Sequence, residues 1–408
     1  MPRTAGGPGT QDKWRWCKRC GGMFYSGLGA GRCVDGNGHD GSGSGAYFLQ
    51  TGRVDGLFAP NWRWCKLCQV LFNGFFPSSE CPANGGKSHS SEGSGEYSLQ
   101  MRVAGQGVAA VYQGRGNDGT IWMTLRQSSQ WVAHLRVPGG CSVTPSPVMY
   151  GGKLWIFYQG MGDCRELWFT TFDGSTFSSS QQVPDVRLKG APCAAVIDGR
   201  LTVWVQGTSR SVDLWCITLA DPARMAWRSD LVPTANGIWN DPAVVPLPDS
   251  LGGGAWVFYE RAMDNPGGRG SSGRIVRLDT KSGVTEEVSV SASGSPGAVM
   301  FNSSVYLFHE GEGGDGRLWS TKLIPTDNGK GATRGGGPGR VEAPMRMSAV
   351  PAPVVDGGRL YVFTEGPGDN GELWFGGSAH GTVFDGNGPI AGVGCSTGCG
   401  ATRFRFAT

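Results

Sequence analysis

From residue 103 onward the chain alternates apolar and polar residues in short runs, broken by loops rich in Gly and Asp. Six stretches can be laid over one another. They contain "VYQGRGNDGTIWMTL", "SPVMYGGKLWIFYQGMGDCRELWFTTFDG", "VWVQGTSRSVDLWCITL", "AWVFYERAMDNPGGRGSSGRIVRL", "VYLFHEGEGGDGRLWSTKL" and "LYVFTEGPGDNGELWFGG". Period-two alternation around a Gly/Asp loop predicts paired strands. A further strand is expected after a proline in the last five, at Pro147, Pro192, Pro242, Pro296 and Pro353. Four strands recurring at roughly 45–60 residues is the pattern of a β-propeller blade. The expectation is an all-β chain whose residues 103–408 form a six-bladed β-propeller. The degenerate fourth repeat leaves five or seven blades open. The first repeat has no proline-led strand, and the terminal "ATRFRFAT" alternates without a blade of its own. An open ring leaves unpaired edges, so residues 401–408 are expected to supply the missing strand of the first blade.

Within the repeats some positions stay in register. A Gly precedes a Trp by eight positions in five of six: Gly114 and Trp122, Gly160 and Trp168, Gly207 and Trp215, Gly311 and Trp319, Gly366 and Trp374. In the fourth, Arg261 and Val276 stand in those places. The position before the Gly holds Gln113, Gln159, Gln206, Glu260, Glu310 or Glu365. Such a row either satisfies backbone groups of the adjacent loop, as buried polar atoms must, or presents hydrogen-bonding groups to a ligand. The Trp row is either blade packing or a stacking surface. The candidate ligand residues are therefore Gln113, Trp122, Gln159, Trp168, Gln206, Trp215, Glu310, Trp319, Glu365 and Trp374. Asp118, Asp163, Asp315 and Asp369 lie in the same loops, where Asp is also a good turn residue. No catalytic residue is assigned. His309 beside Glu310, and the trio Glu260, Glu310 and Glu365, invite a glycosidase reading. Acids at equivalent blade positions do not resemble one asymmetric carboxylate pair, however. No nucleophile elbow, P-loop, HExxH or EF-hand loop is present.

The first hundred residues carry a different repeat. "WRWCKRCGGMF" at Trp14 is echoed by "WRWCKLCQVLF" at Trp62. Twelve residues follow Cys20 before Cys33, and twelve follow Cys68 before Cys81. A His closes each unit, His39 in one and His89 in the other. Two cysteines two residues apart wrap a turn around a tetrahedral ion, and a second pair of ligands returns from the far side of a loop. Three thiolates and an imidazole suit a closed, structural Zn(II) site. Three cysteines per unit also disfavour disulfides, which need an even number. Units of about 40 residues bury too little apolar surface to fold without such a staple. The expected ligands are Cys17, Cys20, Cys33 and His39, then Cys65, Cys68, Cys81 and His89, holding two structural zinc ions in zinc-ribbon-like modules. The expected organisation is a tail over 1–13, module one over 14–50, a linker over 51–61, module two over 62–100, and the propeller. Trp14 with Trp16, and Trp62 with Trp64, should each face one side of a strand and dock, module to module or module to propeller.

Composition changes this picture little. A net charge of +3 over 408 residues gives no argument for a polyanionic partner, and the modules carry acids and no recognition helix, so no nucleic-acid partner is expected. Seventy Gly and 17% charged residues suit tight turns between strands. No apolar run reaches the length of a membrane span. "MPRTAGGPGTQDK" has no apolar segment of the signal-peptide kind; residence inside the cell, an unconventional route out, and a removed leader all stay open. Six further cysteines (Cys141, Cys164, Cys193, Cys216, Cys395 and Cys399) permit disulfides without requiring them.

The style of "GDCRELWFTTFDG" resembles the tandem blades of bacterial and fungal β-propeller lectins, and the blade count is similar to that of the fucose-binding fungal lectins. The resemblance covers roughly residues 103–408. It implies sugar sites between adjacent blades built from an aromatic, an Arg and a Glu or Gln, a triplet with no one-to-one match here. The leading units resemble small Cys/His modules appended to other secreted or toxin-like microbial proteins. Together these imply a non-enzymatic, multivalent lectin binding glycans or glycoconjugates. A protein-interaction scaffold or a subunit of a secreted assembly is the alternative, and a glycoside hydrolase is the third reading.

Overall fold

The computed structural model describes residues 9–45, 47–51, 58–74, 80–100, 103–162, 164–208, 212–234, 237–265, 268–326, 329–335, 339–340, 347–368, 370–381 and 383–406. The chain divides after Arg102 into two compact units, both built of strands. Among the described residues no helix is long and apolar enough to cross a membrane.

The second unit is a six-bladed β-propeller. Its six sheets each run inner to outer in chain order, except the first, where Cys399–Phe406 lies inside Gly105–Gln113, Thr120–Gln127 and Gln130–Gly140. Cys399 pairs with Tyr112 and Phe406 with Gly105, antiparallel and without a break. This strand starts at Cys399, two residues before the stretch expected from alternation, and residues 407–408 lie outside the described ones. The remaining inner strands are Ser146–Tyr150, Lys189–Ile197, Ala243–Pro246, Ser293–Phe301 and Ala352–Asp356. Each inner strand neighbours the next, and the last neighbours the first, so the ring is closed.

These inner strands have a ladder partner on one side only. That explains the prolines, which cannot donate to a ladder and are tolerated on such an edge. The six strands enclose an axial cavity of about 450 Å³ whose lining includes Pro147, Pro192, Pro242, Pro296 and Pro353. Between blades the core is largely apolar. Val108, Ala110 and Tyr112 of blade 1, for example, pack on Ala352, Val354 and Phe363 of blade 6. Burial on both faces of every blade is what the sandwiched apolar runs dictated.

The first unit is one six-stranded sheet shared by both repeats. Its order is Met23–Tyr25, Gly9–Trp16, Tyr47–Thr51, Glu96–Gln100, Phe58–Trp64, Leu71–Asn73. The repeats join at Gln50 opposite Ser98 and Thr51 opposite Tyr97. The two outermost strands also meet, through an antiparallel bridge of Phe24 with Val70 and the Tyr25 N–H on Gln69 O at 3.2 Å. Strands begin at Gly9 and Phe58, so residues assigned from sequence to the tail and to the linker belong to the sheet. The polar "GTQD" carries no apolar alternation and gave no strand signal.

The Trp pairs do not behave as alternation predicts. Trp14 is fully buried while Trp16 is 40% exposed, and Trp64 is buried while Trp62 is half-buried. Trp14 lies opposite Tyr47, the first residue of its neighbouring strand, so Trp16 runs past the end of that cover. Lys13 and Asn61, both in the left-handed region at φ 67° and 62°, mark irregularities just before each motif. Trp14 and Trp64 meet with Leu49, Leu71 and Tyr97 in one core, built from both repeats.

Candidate functional sites

In each N-terminal module a knuckle and a returning loop converge on one point. Gly21 N–H donates to Cys17 O and Cys17 N–H to Gly22 O, which tightens the first turn. The second copy repeats this with Gln69 to Cys65 O and Cys65 to Val70 O. Lys18 N–H on Asp40 O, and Lys66 N–H on Ser90 O, tie the returning loop to the knuckle. The result is two clusters, Cys17, Cys20, Cys33, His39 and Cys65, Cys68, Cys81, His89, whose donor atoms lie within 4.8 Å of one another.

These distances fit a tetrahedral ion. Zn–S and Zn–N bonds of about 2.3 and 2.05 Å put thiolates about 3.8 Å apart and a thiolate about 3.6 Å from the imidazole. Cys17 and Cys33 Sγ are 4.0 Å apart, and Cys65 and Cys81 3.7 Å. Cys20 Sγ lies 3.6 Å from His39 Nδ1, and Cys68 Sγ 3.4 Å from His89 Nδ1. Both clusters can therefore hold a metal ion. Each His stacks on a Phe: His39 on Phe24 and His89 on Phe72, both at 4.8 Å. Hydrogen bonds favour the thiolate form at the first ligand of each set. The Cys68 thiol and backbone N–H hold Cys65 well below the usual thiol range, while the same hydrogen bond pushes Cys68 up. At Cys17 burial opposes the thiolate, but the N–H groups of Cys20 and Asp40 outweigh it and leave about 6.

In the propeller, the Gln/Glu row and the Trp row separate by depth. Gln113, Gln159, Gln206, Glu260 and Glu365 are buried, and Glu310 is half-buried. Gln113 Nε2 donates to Cys141 O at 2.8 Å, and Gln206 Nε2 to Ile238 O at 2.8 Å and Trp239 O at 3.2 Å. Glu260 accepts from Asn240 Nδ2, Ser271 Oγ and Gly273 N–H. Glu310 accepts from Gly316 N–H at 2.9 Å, and burial raises its pKa. These side chains brace the loop that leads to the neighbouring strand. Three of them, Glu260, Glu310 and Glu365, sit in three different blades. His309 is buried, its Nδ1 2.8 Å from Glu310 O.

Trp122, Trp168, Trp215, Trp319 and Trp374 are all half-buried. Four lie opposite the residue before the Gln or Glu: Tyr112, Tyr158, His309 and Thr364. Trp215 faces Val205 in the same way. The eight-residue spacing to Gly has a steric cause. The pyrrole edge of the indole lies against that glycine, so a Cβ at Gly207 would stand 2.8 Å from Trp215 Nε1 and one at Gly160 3.0 Å from the Trp168 ring. At Gly311 and Gly366 the approach is closer still. Blade 4 shows the converse, since Val276 carries no indole and Arg261 takes the glycine's place. Loop oxygens fix several indole N–H groups: Thr120 Oγ1 for Trp122 at 2.9 Å, Asp315 Oδ2 for Trp319 at 2.9 Å, Glu372 Oε2 for Trp374 at 3.2 Å. Asp118 accepts from Thr120 N–H and fixes its turn; Asp163 and Asp369 lie outside the described residues. Cys141, Cys164, Cys193, Cys216, Cys395 and Cys399 are free thiols.

No family model and no curated protein matches the chain. Solved structures do. The SapL1 lectin in complex with alpha methyl fucoside is 14% identical, over 72% of this chain and 99% of that one, with a TM-score of 0.46. A fungal lectin from Aleuria aurantia, described as a six-bladed β-propeller with a novel fucose recognition mode, is 15% identical over 73% and 98%, at 0.47. TolB from Acinetobacter baumannii is 14% identical over 74% and 68%, also at 0.47. One fold hosts many functions, so only the residues themselves speak to this one.

Proposed function

We propose that the propeller is a non-catalytic carbohydrate-binding unit, a lectin with sites repeated around the ring, and that the N-terminal modules hold two structural zinc ions. One observation carries the lectin reading. Five blades hold a half-buried indole at one register; in four of them its edge is seated on a glycine, and in three its N–H is already engaged by a neighbouring side-chain oxygen. Trp122 and Trp215 also lean on the interblade core, so the ring faces of Trp168, Trp319 and Trp374 carry the most open chemistry. The C–H face of a pyranose is apolar and stacks on such a ring, while loop N–H and C=O groups take its hydroxyls. The buried Gln/Glu row then acts one step removed, by fixing the loops. Several weak sites on one rigid ring give avidity for a glycan-coated surface without any tight single site.

The test is a glycan array probed with the full chain, followed by Trp122→Ala, Trp168→Ala, Trp319→Ala and Trp374→Ala. The expected result is signal on a defined glycan class, weakened by each substitution and abolished when several are combined. A flat array at high protein concentration overturns the lectin reading. Turnover of an aryl glycoside, lost in Glu310→Gln, would overturn its non-catalytic part.

A further inference from the structure

The two metal clusters touch. His39 presents Nδ1 to its own cluster, and its Nε2 lies 3.1 Å from the carbonyl oxygen of Cys68, a ligand of the other cluster. Arg32 N–H reaches the same oxygen at 3.5 Å. The approach is close enough to exclude a side chain. Gly31, at φ 57°, has its α-carbon so near that a Cβ would stand 2.6 Å from Cys68 O. The Phe24–Val70 bridge and the Tyr25-to-Gln69 hydrogen bond hold this contact from one side. Among the described residues, His89 makes no corresponding contact with the first module. Of the two ligand imidazoles, His39 is therefore the one that joins the clusters.

Resting on the metal-site reading above, we propose that the two metal sites are coupled, with His39 as the positioning residue between them. A metal on Nδ1 places the ring proton on Nε2. That proton is then donated to Cys68 O, which orients the second knuckle for its own ion. Before the first ion binds, the imidazole can carry its proton on Nδ1 instead, and Nε2 then meets the carbonyl oxygen as a second acceptor, which is repulsive. Filling the first site thus preforms the second. By reciprocity the second ion favours the first equally.

The experiment is a Co(II) titration of the full chain against a competing chelator, read by absorption, for the natural sequence and for His39→Cys. The substituted first site keeps four ligands, now all thiolates, so its spectrum is distinct from that of the Cys3His second site. The natural protein should fill both sites in one steep transition. In His39→Cys the sites should fill separately, with the Cys3His band requiring about tenfold more free metal, the usual effect of losing an outer-shell partner. Gly31→Ala, which leaves every ligand in place, should weaken the second site in the same direction. Long-range ¹H–¹⁵N correlation on histidine-labelled, zinc-loaded protein should find the His39 proton on Nε2. Two ions bound with an unchanged Cys3His midpoint in both variants overturn the coupling and leave the metal sites standing. No uptake by the natural protein overturns both.

Discussion

The two units of this chain bury their cores by opposite means. The propeller repeats one apolar blade six times, and each blade covers its neighbours, so no single side chain is indispensable to the ring. The first unit has one small core, Trp14, Leu49, Trp64, Leu71 and Tyr97, and two clusters of ligating side chains beside it. A repeat distributes stability over many equivalent contacts. A small module concentrates it in a few groups. The difference teaches where each unit is vulnerable, and it can be tested unit by unit within the intact chain.

Metal removal should separate the units most strongly. Structural zinc supplies on the order of 10 kcal/mol or more of folding free energy in small modules. The propeller contains no such cluster among its described residues. Calorimetry of the full chain should show two transitions. A strong chelator should abolish the one belonging to residues 9–100 and leave the propeller's in place, and two equivalents of zinc should restore it. A single transition that ignores the chelator would mean that the modules stand on their apolar core and that the comparison fails.

The next test breaks one blade instead of one cluster. Gly366→Ala forces a methyl group into the Trp374 indole. Overpacking of this kind costs about 1–3 kcal/mol. Blade 4 already shows the remedy, since Val276 accompanies Arg261. Gly366→Ala combined with Trp374→Val should therefore be less destabilised than the sum of the two single substitutions, a coupling of about 1 kcal/mol in a double-mutant cycle. Simple additivity would show that the glycine is there for another reason. The same pair separates packing from recognition, because Trp374→Val removes a proposed stacking face whether or not the glycine is changed.

The Gly–Trp spacing was legible in the sequence because a close approach of backbone and ring permits only one residue type. The metal ligands were legible for a similar reason, as tetrahedral geometry restricts both residue type and spacing. The closing strand could be read from its alternation and from the strand missing at the other end of the repeat. Depth was not legible. Gln113 and Trp122 both stand at positions that recur through the repeats, yet one turns into the loop's backbone and the other stays half-buried, and residue type alone does not tell their depths apart. Nor could alternation show that Trp16 passes the end of its neighbouring strand while Trp14 does not. The His39–Cys68 contact joins residues 29 apart in two copies of a motif, and nothing in either copy alone encodes it.

The smallest expected effect contrasts the units in their response to pH. Metal ligands must be deprotonated to bind, so the first unit should lose stability as pH falls. Among the described residues of the propeller, Glu310 and Asp241 point the other way, and Asp241 the more strongly. Asp241 lies at the axial cavity, between inner strands of neighbouring blades. Its Oδ1 accepts from Ala191 N–H at 2.7 Å, its Oδ2 from Ser295 Oγ at 3.1 Å, and its own N–H donates to Ser295 Oγ at 3.1 Å. Burial nevertheless wins over these donors and over the nearby Lys189, and raises its pKa from 3.8 to about 6. A carboxylate whose folded pKa lies above its unfolded value stabilises most when protonated. That contribution is complete below pH 4 and is lost as pH rises through about 6. Asp241→Asn keeps an oxygen for Ala191 N–H and removes the charge. It should raise the propeller's melting temperature at pH 7 by roughly 2 °C, corresponding to about 1 kcal/mol, and should be nearly neutral at pH 4. Melting curves of the propeller transition at the two pH values decide the matter. A substitution that destabilises equally at both would show that the carboxylate's hydrogen bonds outweigh the cost of burying its charge.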